Sequence, residues 1–200
     1  MNCKFGDIMK NLLQHYINGK WVNSNGGNTM DVINPSTENK IATITLGSSK
    51  DVDVAVSAAR AAFKSWSETN LNERISLLEK LLEIYKSRSD EMAKFISDEM
   101  GAPIDLAKSA QVGAGAGHLK NTIRSAKKFS FEKPLGDHSP GDMIFYEPVG
   151  VCALITPWNW PMNQVMLKVA PALATGCTII LKPSEISPLS SMLLAEMIND

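Results

Sequence analysis

Apolar positions change their spacing along the chain, and each change marks a predicted element. Between His15 and Ile44 the signals are those of strands. YINGKWV (16–22) alternates around Asn18-Gly19, a pair that favours a tight hairpin. SNGGN (24–28) predicts a second turn, and Met30–Ile33 a strand that Pro35 stops. From Ser48 the period becomes helical. Ser48-Ser49-Lys50-Asp51 predicts a helix start, with Asp51 and Asp53 placed well for the N-terminal dipole. Val52, Val56, Ala59, Phe63 and Trp66 then form one buried stripe. Asn70-Leu71-Asn72-Glu73 predicts a second start. Its stripe of Ile75, Leu78, Leu82 and Tyr85 is continued by Met92, Ile96 and Met100 until Gly101 ends it. Pro103 opens a third helix rich in small residues, from Ala107 and Ala110 through Gly113, Ala114, Gly115 and Gly117. Each interior glycine weakens a helix by up to ~1 kcal/mol, so this run predicts close packing against another backbone.

Beyond the helices, Pro134, Gly136, Pro140 and Gly141 exclude helix between Glu132 and Pro148. MIFYEPV (143–149) predicts an extended segment that must pair in its own chain or with a neighbour. Gly150–Ile155 is a continuous apolar run, the pattern of a parallel strand covered on both faces. A helical stretch reaches about Gly176, a second apolar run covers Thr178–Leu181, and Ser187-Pro188 starts another helix. Strand, helix, strand and helix with short joints make a βαβ unit in an α/β fold, whose ligands belong at the carboxyl ends of the strands.

Composition narrows the partners. The chain has 200 residues, 44% of them hydrophobic, and 20 basic against 21 acidic side chains give a net charge of −1. That balance supplies no basic field for a phosphate backbone, which argues against nucleic acid. No uncharged apolar run reaches the ~20 residues of a membrane span, so no membrane partner is expected. MNCKFGDIMKNLLQHY, at the start, mixes acids and bases and does not read as a signal peptide. Cys3, Cys152 and Cys177 are an odd, scattered set with no metal-type pairing, which predicts a reducing, cytoplasmic setting and no metal site. The chain shows no internal repeat and no low-complexity tract.

The candidate chemistry lies at two predicted strand ends. One offers Thr156-Pro157-Trp158-Asn159-Trp160-Pro161, the other Lys182-Pro183-Ser184-Glu185. Topology sets these loops side by side, a carboxamide and tryptophans beside a cation, a hydroxyl and a carboxylate. Prolines stiffen both, as suits groups held in place before a ligand arrives.

The residues GVCALITPWNWPMNQVMLKVAPALATG (150–176) and IILKPSEISPLS (179–190) closely resemble the NAD(P)-dependent aldehyde dehydrogenase family. NGKWV, INPSTE, AVSAARAAFKSW and EPVGV agree more weakly, so the resemblance covers nearly the whole chain. It implies an N-terminal β-ribbon and helices (1–131), an oligomerisation ribbon (132–149) and the first βαβα unit of a Rossmann-like cofactor-binding domain (150–200). It also implies site roles. Asn159 corresponds to the oxyanion asparagine, while Lys182 and Glu185 bind the adenosine ribose of the cofactor. Ile155, Thr156, Pro157, Trp158, Pro183 and Ser184 border that cofactor. Trp160, Asn163, Gln164 and Leu167 line the aldehyde tunnel. A carboxylate at Glu185 accepts ribose hydroxyls and repels a 2′-phosphate, which favours NAD over NADP.

The expected activity is oxidation of an aldehyde to a carboxylic acid through a covalent thiohemiacetal and thioester. A CoA-acylating relative and a non-catalytic nucleotide-binding or subunit-pairing chain are the alternatives. In the family the Gly-rich turn, the general-base glutamate and the nucleophilic cysteine all come later, and this chain ends in a helical pattern. The expectation is therefore a truncated piece, inactive alone, whose full-length form is a homodimer or homotetramer.

Overall fold

A computed structural model describes residues 12–200. Cys3 and most of the N-terminal stretch read as no leader lie outside the described residues. Strands β1 (Gln14–Ile17) and β2 (Lys20–Asn23) form the expected hairpin. Asn18 and Gly19 sit at φ 54 and 71, the left-handed pair that a two-residue turn between twisted strands demands. Strand β3 (Thr29–Ile33) pairs antiparallel with β4 (Lys40–Thr45).

Helix α1 (Ser49–Glu68) starts with a reciprocal cap. Ser48 Oγ accepts from the Asp51 N–H at 3.3 Å, and Asp51 accepts from the Ser48 N–H at 2.8 Å. The predicted stripe on this helix is corrected: of its members only Ala59 is buried, while Val52 is exposed and Val56, Phe63 and Trp66 are half-buried. Where the helix meets the parallel sheet, Thr178 Oγ1 donates to the carbonyl of the buried Ala59 at 2.9 Å.

The next stripe forms two helices, not one: α2 (Leu71–Ser87) and α3 (Ser89–Met100). Asn70 caps the first by accepting from the Glu73 N–H at 2.8 Å. Gly101, at φ 80, ends the second. The break falls at Arg88, which leaves helical geometry at φ −106 and ψ 21. Its guanidinium bridges Glu91 at 2.8 Å and Glu196 at 3.1 Å. Helix α4 (Ile104–Leu106) runs through a π-helical turn at Ala107–Gln111 into α5 (Val112–Ala126). Close packing occurs at Gly115 alone of the α5 glycines, and against side chains rather than the backbone expected. A Cβ there would stand 2.5 Å from the Tyr85 hydroxyl and 3.0 Å from Met162 Cβ, whereas Gly113 and Gly117 face open space.

Strands β5 (Glu132–Pro134) and β6 (Met143–Phe145) pair antiparallel, so the 143–149 segment finds its partner within the chain. Tyr146 adds an edge-on contact to Phe129 at 5.1 Å between ring centroids. Strands β7 (Val151–Ile155) and β8 (Thr178–Lys182) are parallel, joined by α6 (Pro161–Ala174), and α7 (Leu189–Asn199) follows. The expectation that β7 is covered on both faces is also corrected, since Ala153 and Ile155 are exposed. No described helix packs over that side at the strand end. The core lies between α2, α3, α5, α6 and α7, where Tyr85, Met92, Leu119, Met162, Met166 and Leu193 are fully buried. Among the described residues no helix is long and apolar enough to cross a membrane.

Candidate functional site

Parallel pairing sets the geometry of the site. Ile155 is the register partner of Lys182, and the Thr156 N–H donates to the Lys182 carbonyl at 3.3 Å. The two loops therefore leave the sheet together, as the topology predicts. Thr156 is buried, whereas Pro157, Trp158, Asn159 and Trp160 are exposed. Trp160 takes a left-handed φ of 54, a conformation uncommon for a bulky side chain. Pro161 follows at the first position of α6, where a missing N–H costs nothing. Asn159 is thus held outside the helix, immediately before this sharp turn.

The second loop is built around an ion pair. Lys182 Nζ lies 2.7 Å from Glu185 Oε2 and donates also to the Pro183 carbonyl at 3.2 Å. The hydrogen bond from Lys182 holds the Glu185 carboxyl below the usual carboxylate range, and the backbone and the ammonium charge assist. Both side chains are exposed, so either can exchange its partner for a ligand. Ser184 shapes the turn, its Oγ accepting from the Ile186 N–H at 3.3 Å and its carbonyl from the Ser187 N–H at 3.2 Å. Among the described residues no hydrogen bond joins the side chain of Trp158 or Asn159 to Lys182 or Glu185.

Helix α6 has one sealed face and one open one. Met162, Val165, Met166, Val169 and Ala170 are buried against the core. Trp160 and Leu167 are exposed, and Asn163 and Gln164 are half-buried between them. The four predicted tunnel residues therefore share the face that begins at Asn159. A residue with no local sequence signal joins them. His118 of α5 lies with Nε2 2.7 Å from Asn163 Oδ1.

Cys152 sits half-buried in β7, and burial together with neighbouring Cys177 raises its thiol pKa; Cys177 itself is buried. Neither is exposed as a nucleophilic thiolate needs to be, although Arg74 lies within electrostatic reach of Cys177. Among the described residues no group of three or more His, Cys, Asp and Glu side chains could hold a metal ion.

Residues 21–200 match the sequence profile described as "Aldehyde dehydrogenase family". The chain belongs to this family. It is 47% identical over 193 residues to 3-succinoylsemialdehyde-pyridine dehydrogenase of a Pseudomonas species, covering 96% of this chain and 40% of that protein. The crystal structure of aldehyde dehydrogenase from Bartonella henselae superposes with a TM-score of 0.91 at 52% identity, covering 93% of this chain and 39% of that one. Aldehyde dehydrogenase C from Pseudomonas syringae, solved as a mutant with NAD+ and octanal, gives a TM-score of 0.92 at 43% identity over 96% of this chain and 39% of that one. The chain thus spans about 40% of the length of these relatives. As the family resemblance implies, the fold is α/β, with a ribbon and helices leading into a parallel βαβ unit.

Proposed function

We propose that this chain supplies the ribose-binding and oxyanion-stabilising parts of an NAD-dependent aldehyde dehydrogenase, which oxidises an aldehyde to a carboxylic acid. The observation that carries the reading is the register of Ile155 with Lys182, which brings the Asn159 loop beside the exposed Lys182–Glu185 pair. The donor set fits a dinucleotide. Glu185 keeps lone pairs that accept ribose hydroxyls, and Lys182 can donate to the same sugar. The negative charge of Glu185 opposes a 2′-phosphate, so NAD is preferred to NADP. Ile155 and Trp158 offer exposed apolar surface, and Thr156, Pro157, Pro183 and Ser184 stiffen the rim. NAD, when bound, supplies the hydride acceptor.

The Asn159 carboxamide donates an N–H to the aldehyde oxygen as negative charge develops on it, a contribution of ~3 kcal/mol to lowering the barrier. Trp160, Asn163, Gln164 and Leu167 form the wall along which the rest of the aldehyde lies. Neither Cys152 nor Cys177 serves as nucleophile, so the 200-residue chain alone turns over no aldehyde. The protein is read as cytoplasmic, with residues 1–131, 132–149 and 150–200 as its ribbon-and-helix part, oligomerisation ribbon and βαβα unit. Phe145, 58% exposed on β6, supports association into a homodimer or homotetramer through that ribbon.

The decisive experiment substitutes Asn159→Ala in a protein that joins this chain to the remaining share of the family's length. The kcat for aldehyde oxidation falls roughly 10²–10³-fold and the Kd for NAD stays nearly constant. Normal kcat with weakened NAD binding would move Asn159 out of the reaction and into cofactor recognition.

A further inference from the structure

Cys152 and Cys177 are far apart in the chain and form no local motif, yet the parallel register brings them together. Cys152 pairs with Ile179 across the ladder of β7 and β8. Cys177 stands two positions before Ile179 and so shares its face. The two thiols are within hydrogen-bonding reach of each other, and neither is in a disulfide.

A buried cation lies beside this pair. Arg74 of α2 is 7% exposed, donates from Nε to the Ala174 carbonyl at 3.0 Å, and donates from Nη1 to the Thr69 carbonyl. It lies within electrostatic reach of Cys177. Among the described residues no carboxylate pairs with it. A guanidinium satisfied only by neutral oxygens leaves one positive charge in the fold without a counter-charge. There is also a way in. Cys177 lines a cavity of about 240 Å³ whose walls include Phe129, Phe131, Tyr146 and Pro148. Thr175, on the same cavity, holds its Oγ1 3.7 Å from Cys177 Sγ.

Paired thiolates select soft metal ions, and the charge of Arg74 selects among those. A divalent ion on two thiolates is neutral and leaves the guanidinium uncompensated, and zinc asks for four ligands where two are offered. A monovalent ion on two thiolates carries one negative charge, which Arg74 offsets. We propose that Cys152 and Cys177 form a two-thiolate site for a soft monovalent cation of the Cu(I) type, with Arg74 as its counter-charge. On binding, both S–H protons leave to solvent, two metal–sulfur bonds form, and no electron is transferred. The site lies at the opposite end of β7 from the Asn159 loop, so it is separate from the reaction assigned above.

The test uses a protein that joins this chain to the remaining share of the family's length. Cu(I), held by the chromophoric chelator bicinchoninate under a thiol-free reductant, is titrated with that protein and with its variants. The unsubstituted protein withdraws one Cu(I) per chain more than Cys152→Ser or Cys177→Ser does. X-ray absorption of the copper complex shows two sulfur neighbours that both variants lose. Arg74→Lys keeps the charge and holds the Kd for Cu(I) within about threefold, whereas Arg74→Gln weakens it roughly tenfold or more. The two serine variants decide the matter even if Arg74→Gln does not fold. Equal copper uptake by all three cysteine forms, or a loss in one serine variant alone, overturns the inference. Zn(II) uptake at the same pair with equal stoichiometry overturns it as well, because the counter-charge of Arg74 would then have no part.

Discussion

Glu99 and Glu185 are the same side chain in opposite surroundings. Glu99, on α3, is buried, and its oxygens accept from the backbone N–H groups of Leu189 and Ser190 at the start of α7. Burial pushes its pKa up to about 7, although the hydrogen bonds from α7 pull the other way. Glu185 stands exposed at the end of β8 with a lysine beside it, which keeps it ionised. The first carboxylate is consumed by the fold, because it satisfies helix N–H groups that would otherwise lie unpaired. The second leaves acceptors exposed to solvent, as the proposed ribose-binding role requires. Around Glu99 the neighbouring Phe95, Ile96 and Leu193 are buried, whereas around Glu185 the apolar Ile155, Trp158 and Ile186 are exposed. A binding edge is where the chain leaves polar and apolar groups unfinished at the same place.

Substitutions on the sealed side should cost stability, and substitutions on the open side should change ligand preference alone. The largest effect is expected from Gly115→Val. Its side chain would strike the Tyr85 hydroxyl and Met162 Cβ, a clash worth ~3 kcal/mol that thermal denaturation would register as a lower Tm. An unchanged Tm would mean that α5 can retreat from α2 and α6.

Glu99 gives the next effect, and its sign follows from the raised pKa. The folded carboxyl, at about 7, holds its proton more tightly than the reference value of 4.5. Its contribution to stability is therefore full below the unfolded pKa and is lost as pH rises through the folded one. Urea unfolding should show ~2 kcal/mol of this loss between about pH 5 and pH 8, and Glu99→Gln should flatten the curve. An equally steep curve in the variant would assign the titration to another group.

The smallest effect belongs to the open side. Glu185→Gln should raise the NADP-over-NAD ratio of kcat/KM about fivefold and leave Tm unmoved. A change in Tm without a change in ratio would place Glu185 with Glu99, as part of the fold.

The parts of this structure legible in the sequence are those whose partners lie within a few residues. Ser48 and Asn70 can be read as caps because the N–H groups that they satisfy are three residues away. Asn18-Gly19 specifies its hairpin through its own backbone preference, and the two strand ends follow from the order of the elements. Tertiary partners leave no such mark. The apolar stripe runs unbroken past Arg88, where α2 gives way to α3, and one of the partners of Arg88 there, Glu196, lies 108 residues on. The cap that Glu99 provides spans 90 residues, and His118 reaches Asn163 across 45. Val52 and Ala153 are apolar enough to predict burial, but burial depends on what is packed opposite, which no local pattern encodes.

The π-helical turn at Ala107–Gln111 has a consequence for chain length. A wide turn of this kind accommodates one residue more than a regular helix uses for the same advance. Removing one residue from Lys108–Ala110 would let α4 and α5 run as a single α-helix. Gly115 and His118 would keep the same face toward α6, because the segments on either side of such a bulge are already in phase. A single-residue deletion can therefore be absorbed at this turn, one helical turn ahead of Gly115, without altering the docking of α5.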